Sequence, residues 1–172
     1  MQKKLAVLFS AVALMSANWL AHADVSDKDM QLIGRALSFV EGGATGDVIV
    51  AIVYSDDVPG SKDAADDVAT VLGSGLKAGK VTLVGKVISV SDVSSVPSGQ
   101  AIFVPEGMQS QYSKISSATA ITVSTDKACV DAGACVVSVA SAPKVEIYVN
   151  RSAAGARSIN FASAFRMMIK EI

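Results

Sequence analysis

Apolar positions along this chain switch between helical and strand spacing several times, and the switches mark out its elements. Leu32, Ile33, Ala36, Leu37 and Val40 recur at helical spacing, with Asp27 and Asp29 at the start, where the helix dipole favours carboxylates. This predicts a helix over 27–41, ended by Gly42-Gly43. Asp47 to Tyr54 (DVIVAIVY) is a continuous β-branched run, the pattern of a strand covered on both faces. Pro59-Gly60-Ser61 then makes a turn and a helix start. Asp63, Asp66 and Asp67 load its first turns, and Ala64, Val68, Val71 and Leu72 form a buried stripe to about residue 74.

Lys80 to Val90 is strand-like, with Val81, Leu83, Val87 and Val90 inward. Ala101 to Val104 is a short buried strand stopped by Pro105, and Met108 to Ala118 reads as a helix. Ala120 to Ser124 is a further strand, followed by a short connection that holds Cys129 and Cys135. Cys135–Ala140 and Lys144–Val149 form a hairpin around Ser141-Ala142-Pro143. Phe161, Phe165, Met168, Ile169 and Ile172 then follow helical spacing, which predicts a helix over 160–172. Strands alternating with helices and closing on a hairpin and helix indicate a mixed β-sheet between helical layers, in one α/β domain.

The first 23 residues differ in kind from the rest. Lys3 and Lys4 precede an almost wholly apolar run from Leu5 to Met15, and Ala21-His22-Ala23 supplies small residues for cleavage. Ser16, Asn18 and His22 interrupt the run before it reaches the roughly 20 apolar residues of a membrane span. The expected product is an exported chain cut between Ala23 and Asp24, with 24–172 as a single α/β domain. The residue directly after the cut is Asp24 rather than a cysteine, so a lipid anchor is not indicated.

Cleavage changes the charge and the chemistry. Loss of Lys3 and Lys4 leaves 13 basic against 16 acidic residues, a net charge of −3. Nucleic acid and anionic membrane surfaces are poor partners for such a domain, and no later segment is apolar for long enough to insert stably in a bilayer. His22, the only histidine, leaves with the signal segment. The commonest general base and the commonest metal ligand go with it.

The cysteines carry the most specific chemistry. Cys129 and Cys135 enclose Val-Asp-Ala-Gly-Ala, and export implies an oxidising compartment. Redox couples usually use Cys-x-x-Cys, and no histidine or further cysteine completes a zinc site. A structural disulfide is the expectation. Gly42–Gly46 and Gly73–Lys80 are glycine-rich but lead into strands, the reverse of a phosphate loop, and read as connectors. Ser124-Thr125-Asp126-Lys127 has the Ser-x-x-Lys spacing of penicillin-recognising enzymes without the companion motifs, so a capped turn is expected. Asp56, Asp57, Asp63, Asp66 and Asp67 lack the alternation of a calcium loop because Val58-Pro59 interrupts it. Asn150-Arg151-Ser152 is a chance match to a glycosylation sequon. No catalytic set, cofactor site or metal site is expected. Met167 lies off the apolar face of the terminal helix beside Met168, and methionine suits adaptable interfaces, so this pair is the candidate partner surface.

The order AIFVPEG, ITVSTDKACVDAGACVVSV and KVEIYVNRSAAGARSINFASAFRMMIKEI resembles the YfiR/HmsC-like family of small periplasmic bacterial proteins. Ile121 to Ser124, Gly133, Val145 to Asn150 and Ala153-Ala154 occupy matching places; upstream, Leu37 to Glu41 and VIVAIVYSDD are similar to the family's first helix end and strand. The resemblance implies a three-layer α/β fold and a periplasmic regulator rather than an enzyme. Such a protein restrains a membrane diguanylate cyclase by binding its periplasmic part, lowering cyclic di-GMP and biofilm formation. Family members also carry disulfides in this region, and a homodimer stays open. The alternative is a small-ligand binding module built on a half-sized periplasmic binding lobe; a hydrolase or redox enzyme ranks third.

Overall fold

The computed structural model describes residues 25–172, so the expected signal segment, with its expected cut between Ala23 and Asp24, lies outside the described residues. The elements run α1 (Asp27–Ser38), β1 (Gly46–Tyr54), α2 (Ser61–Leu72), β2 (Leu76–Ala78), β3 (Val81–Ser89), β4 (Ala101–Val104), α3 (Tyr112–Ser116) and β5 (Ile121–Ser124). They continue through α4 (Lys127–Asp131), β6 (Val137–Ala140), β7 (Glu146–Val149), α5 (Arg151–Ala156), α6 (Ser163–Arg166) and β8 (Lys170–Glu171). Short 3-10 turns at Val90–Ser95 and Gln109–Gln111 complete the path.

Eight strands form one sheet in the order β2-β3-β1-β4-β5-β6-β7-β8. The five central strands, β3 to β6 in that order, are parallel. β2 runs antiparallel to β3, β7 antiparallel to β6, and β8 parallel to β7. The parallel centre explains the unbroken apolar runs, because such strands are covered on both faces. Along β1, Val48, Val50 and Ile52 enter one core with Met30, Ile33, Val68, Leu72 and Phe103, while Ala51 and Val53 enter the other with Ile102, Val104, Met108 and Ile115. Helices α1, α2 and α5 belong to the first layer; α3, α4 and the Val90–Ser95 turn belong to the second. The result is the mixed, three-layer single domain that the alternation of strand and helix predicts.

Local chemistry sets the ends of the elements. Ser26 caps α1 and its own amide is taken by Asp29, a reciprocal capping box. Asp126 caps α4 through the amide of Ala128, and Asn150 caps α5 through that of Ala153.

Five expectations need correction. The first helix stops at Ser38, not 41, because Val40 forms an antiparallel bridge with Phe161. The Gly73–Lys80 connector contains β2, a three-residue strand too short for a hydropathy pattern. The Met108–Ala118 helix is a 3-10 turn followed by the five-residue α3, and the cysteine connection holds α4. The largest departure is at 160–172, which is not one helix. Glu41 N donates to Asn160 O at 2.8 Å and Ala162 N to Phe39 O at 2.9 Å, so tertiary pairing occupies the backbone where the helix would begin. Only α6 remains helical, and the open edge of β7 then takes Lys170 and Glu171 as β8. Phe161 and Phe165 are buried as their spacing predicts, and Phe165 stacks on Phe39 at 5.2 Å. Met168 and Ile172, placed inward by the helical reading, are 56% and 44% exposed.

Candidate functional site

Met167 and Met168 sit on the turn between α6 and β8, and Met167 is 85% exposed, the most accessible large apolar residue among those described. They adjoin the end strand of the sheet. Ile172 donates to Val149 O at 2.9 Å and its carbonyl accepts from Arg151 N at 3.0 Å, so Ile172 faces β7. Backbone direction alternates along a strand, which turns the amide and carbonyl of Glu171 to the open side. Because β7 and β8 are parallel, Val145, one residue before β7, and Met168, two residues before β8, lie at the same end, and Val145 is also exposed.

Charged groups ring this edge. Glu146 accepts from Lys170 Nζ at 2.6 Å, Lys144 Nζ at 2.9 Å and Tyr148 Oη at 2.8 Å. The Lys170 and Lys144 ammonium groups and the Tyr148 hydroxyl hold the Glu146 carboxyl down at about 2. Lys170 also lies 5.1 Å from the centre of the Tyr148 ring. Arg151 pairs with Glu171 at 3.5 Å. Beside them opens a groove of about 510 Å³, with Arg151, Asn160, Arg166 and Glu171 in its walls.

Cys129 and Cys135 form a disulfide, with Sγ–Sγ 2.00 Å, and both are fully buried. The loop they close is held from several directions. Ala134 N and Cys135 N both donate to Cys129 O at 3.0 Å, Thr122 Oγ1 donates to Ala134 O at 2.8 Å, and Asn150 Nδ2 donates to Val130 O at 2.9 Å. Gly133 takes φ 73°, a left-handed backbone that favours glycine. Burial among Val130, Ile102 and Ile115 makes this a packing cross-link.

The other motifs stay apart. Ser124 Oγ donates to Val104 O at 2.7 Å and accepts from Asp126 N at 2.9 Å, a buried turn. Lys127 Nζ is engaged by Asp131 at 2.5 Å, so the Ser-x-x-Lys spacing brings no amine to the serine. Asp66 pairs with Lys62 at 2.7 Å, and among the described residues no three acidic, cysteine or histidine side chains converge as a metal cage.

One residue escaped the sequence reading. Arg157 is half-buried in the wall of a cavity of about 290 Å³ at the amino ends of β1, β4 and β5, together with Gly42, Ser98, Gln100, Thr119 and Ser158. Its guanidinium donates to the carbonyls of Ala153, Ser116 and Ala134 at 3.1–3.4 Å, and Nε is buried without a partner. Among the described residues no carboxylate pairs with it. Its acceptors come from α5, α3 and the disulfide loop, and no local motif announces such a convergence.

No protein-family model and no curated protein matches the chain. Solved structures define its class by shape: a mixed α/β domain. A conserved domain protein of Vibrio cholerae O1 biovar El Tor aligns at TM-score 0.56 with 14% identity, over 87% of this chain and 61% of that one. The ABC domain of Streptococcus pneumoniae, in complex with L-Trp, aligns at TM-score 0.51 with 14% identity, over 84% of this chain and 59% of that one. This chain therefore spans about three fifths of each of these structures. At such identity the likeness shows the fold alone.

Proposed function

We propose that this chain is an exported, periplasmic regulator that acts by protein contact at the β8 edge, and that it is not an enzyme. The observation that carries the reading is the pair Met167 and Met168, exposed beside an open strand edge. Flexible thioether side chains on such an edge suit a binding surface. The YfiR/HmsC resemblance adds the target: the periplasmic part of a membrane diguanylate cyclase. Restraint would follow from binding the inactive state of the cyclase more tightly than the active one. Deleting the gene and measuring cyclic di-GMP tests this. Levels should rise on deletion and fall again with the wild-type gene, but not with a folded Met167→Asp/Met168→Asp chain. An unchanged level on deletion would remove the regulator.

A second reading, a small-ligand module, is favoured by the cavity at Arg157, where a half-buried cation meets no carboxylate among the described residues. The structural neighbour in complex with L-Trp makes that amino acid the first probe. A rise in melting temperature with L-Trp that is lost in Arg157→Gln supports the module; no rise counts against it.

A further inference from the structure

We infer that the partner presents an extended acidic segment, which joins the sheet alongside β8 and sets apolar side chains against Met167 and Met168. This rests on the protein-contact reading and adds its chemistry. Three independent features meet at the edge. Glu171 turns an amide and a carbonyl outward, the groups that an added strand pairs with. Met167, Met168 and Val145 supply apolar contact at one end of the strand pair.

The third feature is charge. Lys144, Arg151, Arg166 and Lys170 surround the edge with, among the described residues, only Glu146 and Glu171 to match them, on a chain whose net charge is −1. The Glu146 carboxylate is already shared by two lysines, and Arg166 is exposed with no carboxylate partner among the described residues. A local cationic excess on an acidic chain favours an acidic partner and selects against a basic one. It also disfavours a second copy of this chain, because pairing β8 with β8 would bring Arg151, Arg166 and Lys170 against their own likenesses.

The probe is a short capped peptide of alternating valine and glutamate, labelled for fluorescence anisotropy, against its valine–lysine counterpart. The mature exported chain should bind the acidic peptide, and binding should weaken as salt rises. Arg166→Glu, at an exposed position, should weaken it about ten-fold while circular dichroism stays unchanged. Hydrogen exchange at the Glu171 amide should slow in the complex. Equal or tighter binding of the lysine peptide overturns the inference, as does absence of acidic-peptide binding. Binding without slowed exchange at Glu171 overturns strand addition, and protection of that amide by self-association alone assigns the edge to a second copy. In cells, full restoration of low cyclic di-GMP by Arg166→Glu in the deletion strain would remove this inference and keep the regulator. No effect of deletion would remove the regulator, and the peptide result would still decide the chemistry of the edge.

Discussion

The backbone amide of Ser141 donates to Oδ1 of Asp29 at 2.9 Å, joining the first turn of α1 to the β6–β7 hairpin across 112 residues. The same carboxylate accepts from Ser26 N at 3.0 Å and Ser26 Oγ at 2.6 Å. One side chain thus caps the helix and fastens the hairpin, so the amino end of the domain and its antiparallel half are ordered together.

Asp29→Ala should therefore destabilise the domain by about 1–3 kcal/mol, the cost of leaving the half-buried donors of Ser26 and Ser141 unpaired, with the lost cap included. Burial raises the Asp29 pKa, but hydrogen bonds from Ser26 and Ser141 outweigh it and bring the value below the ordinary 3.8. A carboxyl depressed in the folded state stabilises above its unfolded pKa, and that contribution is lost as pH falls through the folded value. In urea titrations the gap between wild type and Asp29→Ala should be constant above about pH 5 and should narrow in more acidic solution. A gap independent of pH down to acid unfolding would show that the charge of Asp29 contributes nothing.

The Cys129–Cys135 bridge closes a small loop, and on loop-entropy reasoning it stabilises by about 2 kcal/mol. Both sulfurs are buried, so Cys129→Ala with Cys135→Ala also loses packing. The double variant should lose about 2 kcal/mol or more of unfolding free energy, seen as a lower denaturant midpoint. A shift of only a few tenths would mean that Thr122, Asn150 and the Cys129 carbonyl hold the loop without the cross-link.

Gly34 sits where α1 crosses β2, and a Cβ placed on it would overlap the Cβ of Ala78. Glycine is a poor helix former, so Gly34→Ala would gain about 1 kcal/mol of propensity in an exposed helix. Here the facing strand cannot yield without moving β3, to which it is paired. Overpacking costs about 1–3 kcal/mol, so steric conflict should win and the midpoint should fall. A stabilised variant would show that α1 can slide away from β2 at little cost.

The parts that were legible in the sequence are those with local, repeated patterns. DVIVAIVY is β1 because eight successive residues suit a doubly covered strand, and the cysteine spacing allowed the bridge that forms. Arg157 and the edge at β8 were not legible, because distant segments create them. The carbonyls around Arg157 lie on three elements, and β8 exists only because β7 offers an unpaired edge. In 160–172 the Phe161–Phe165 spacing fits a helical stripe, yet it serves an aromatic cluster in which Phe165 stacks on Phe39 and Phe161 packs against Phe165, beside the Val40–Phe161 bridge.

Those anchors and the methionines after them make a direct comparison within one short stretch. Phe165 is 1% exposed and stacks on Phe39, so Phe165→Ala should cost about 3–5 kcal/mol in lost burial and cavity formation. Met167→Asp and Met168→Asp remove side chains that face solvent, and each should leave stability within about 0.5 kcal/mol of wild type. A continuous helix with Met168 on its inner face would give the opposite result at 168, because a carboxylate would then enter the core. Thermal unfolding of the three variants decides between these outcomes. A large loss at Met168 would restore the helical stripe and remove β8 as an available edge, whereas intact stability at both methionines leaves them free for contact with a partner.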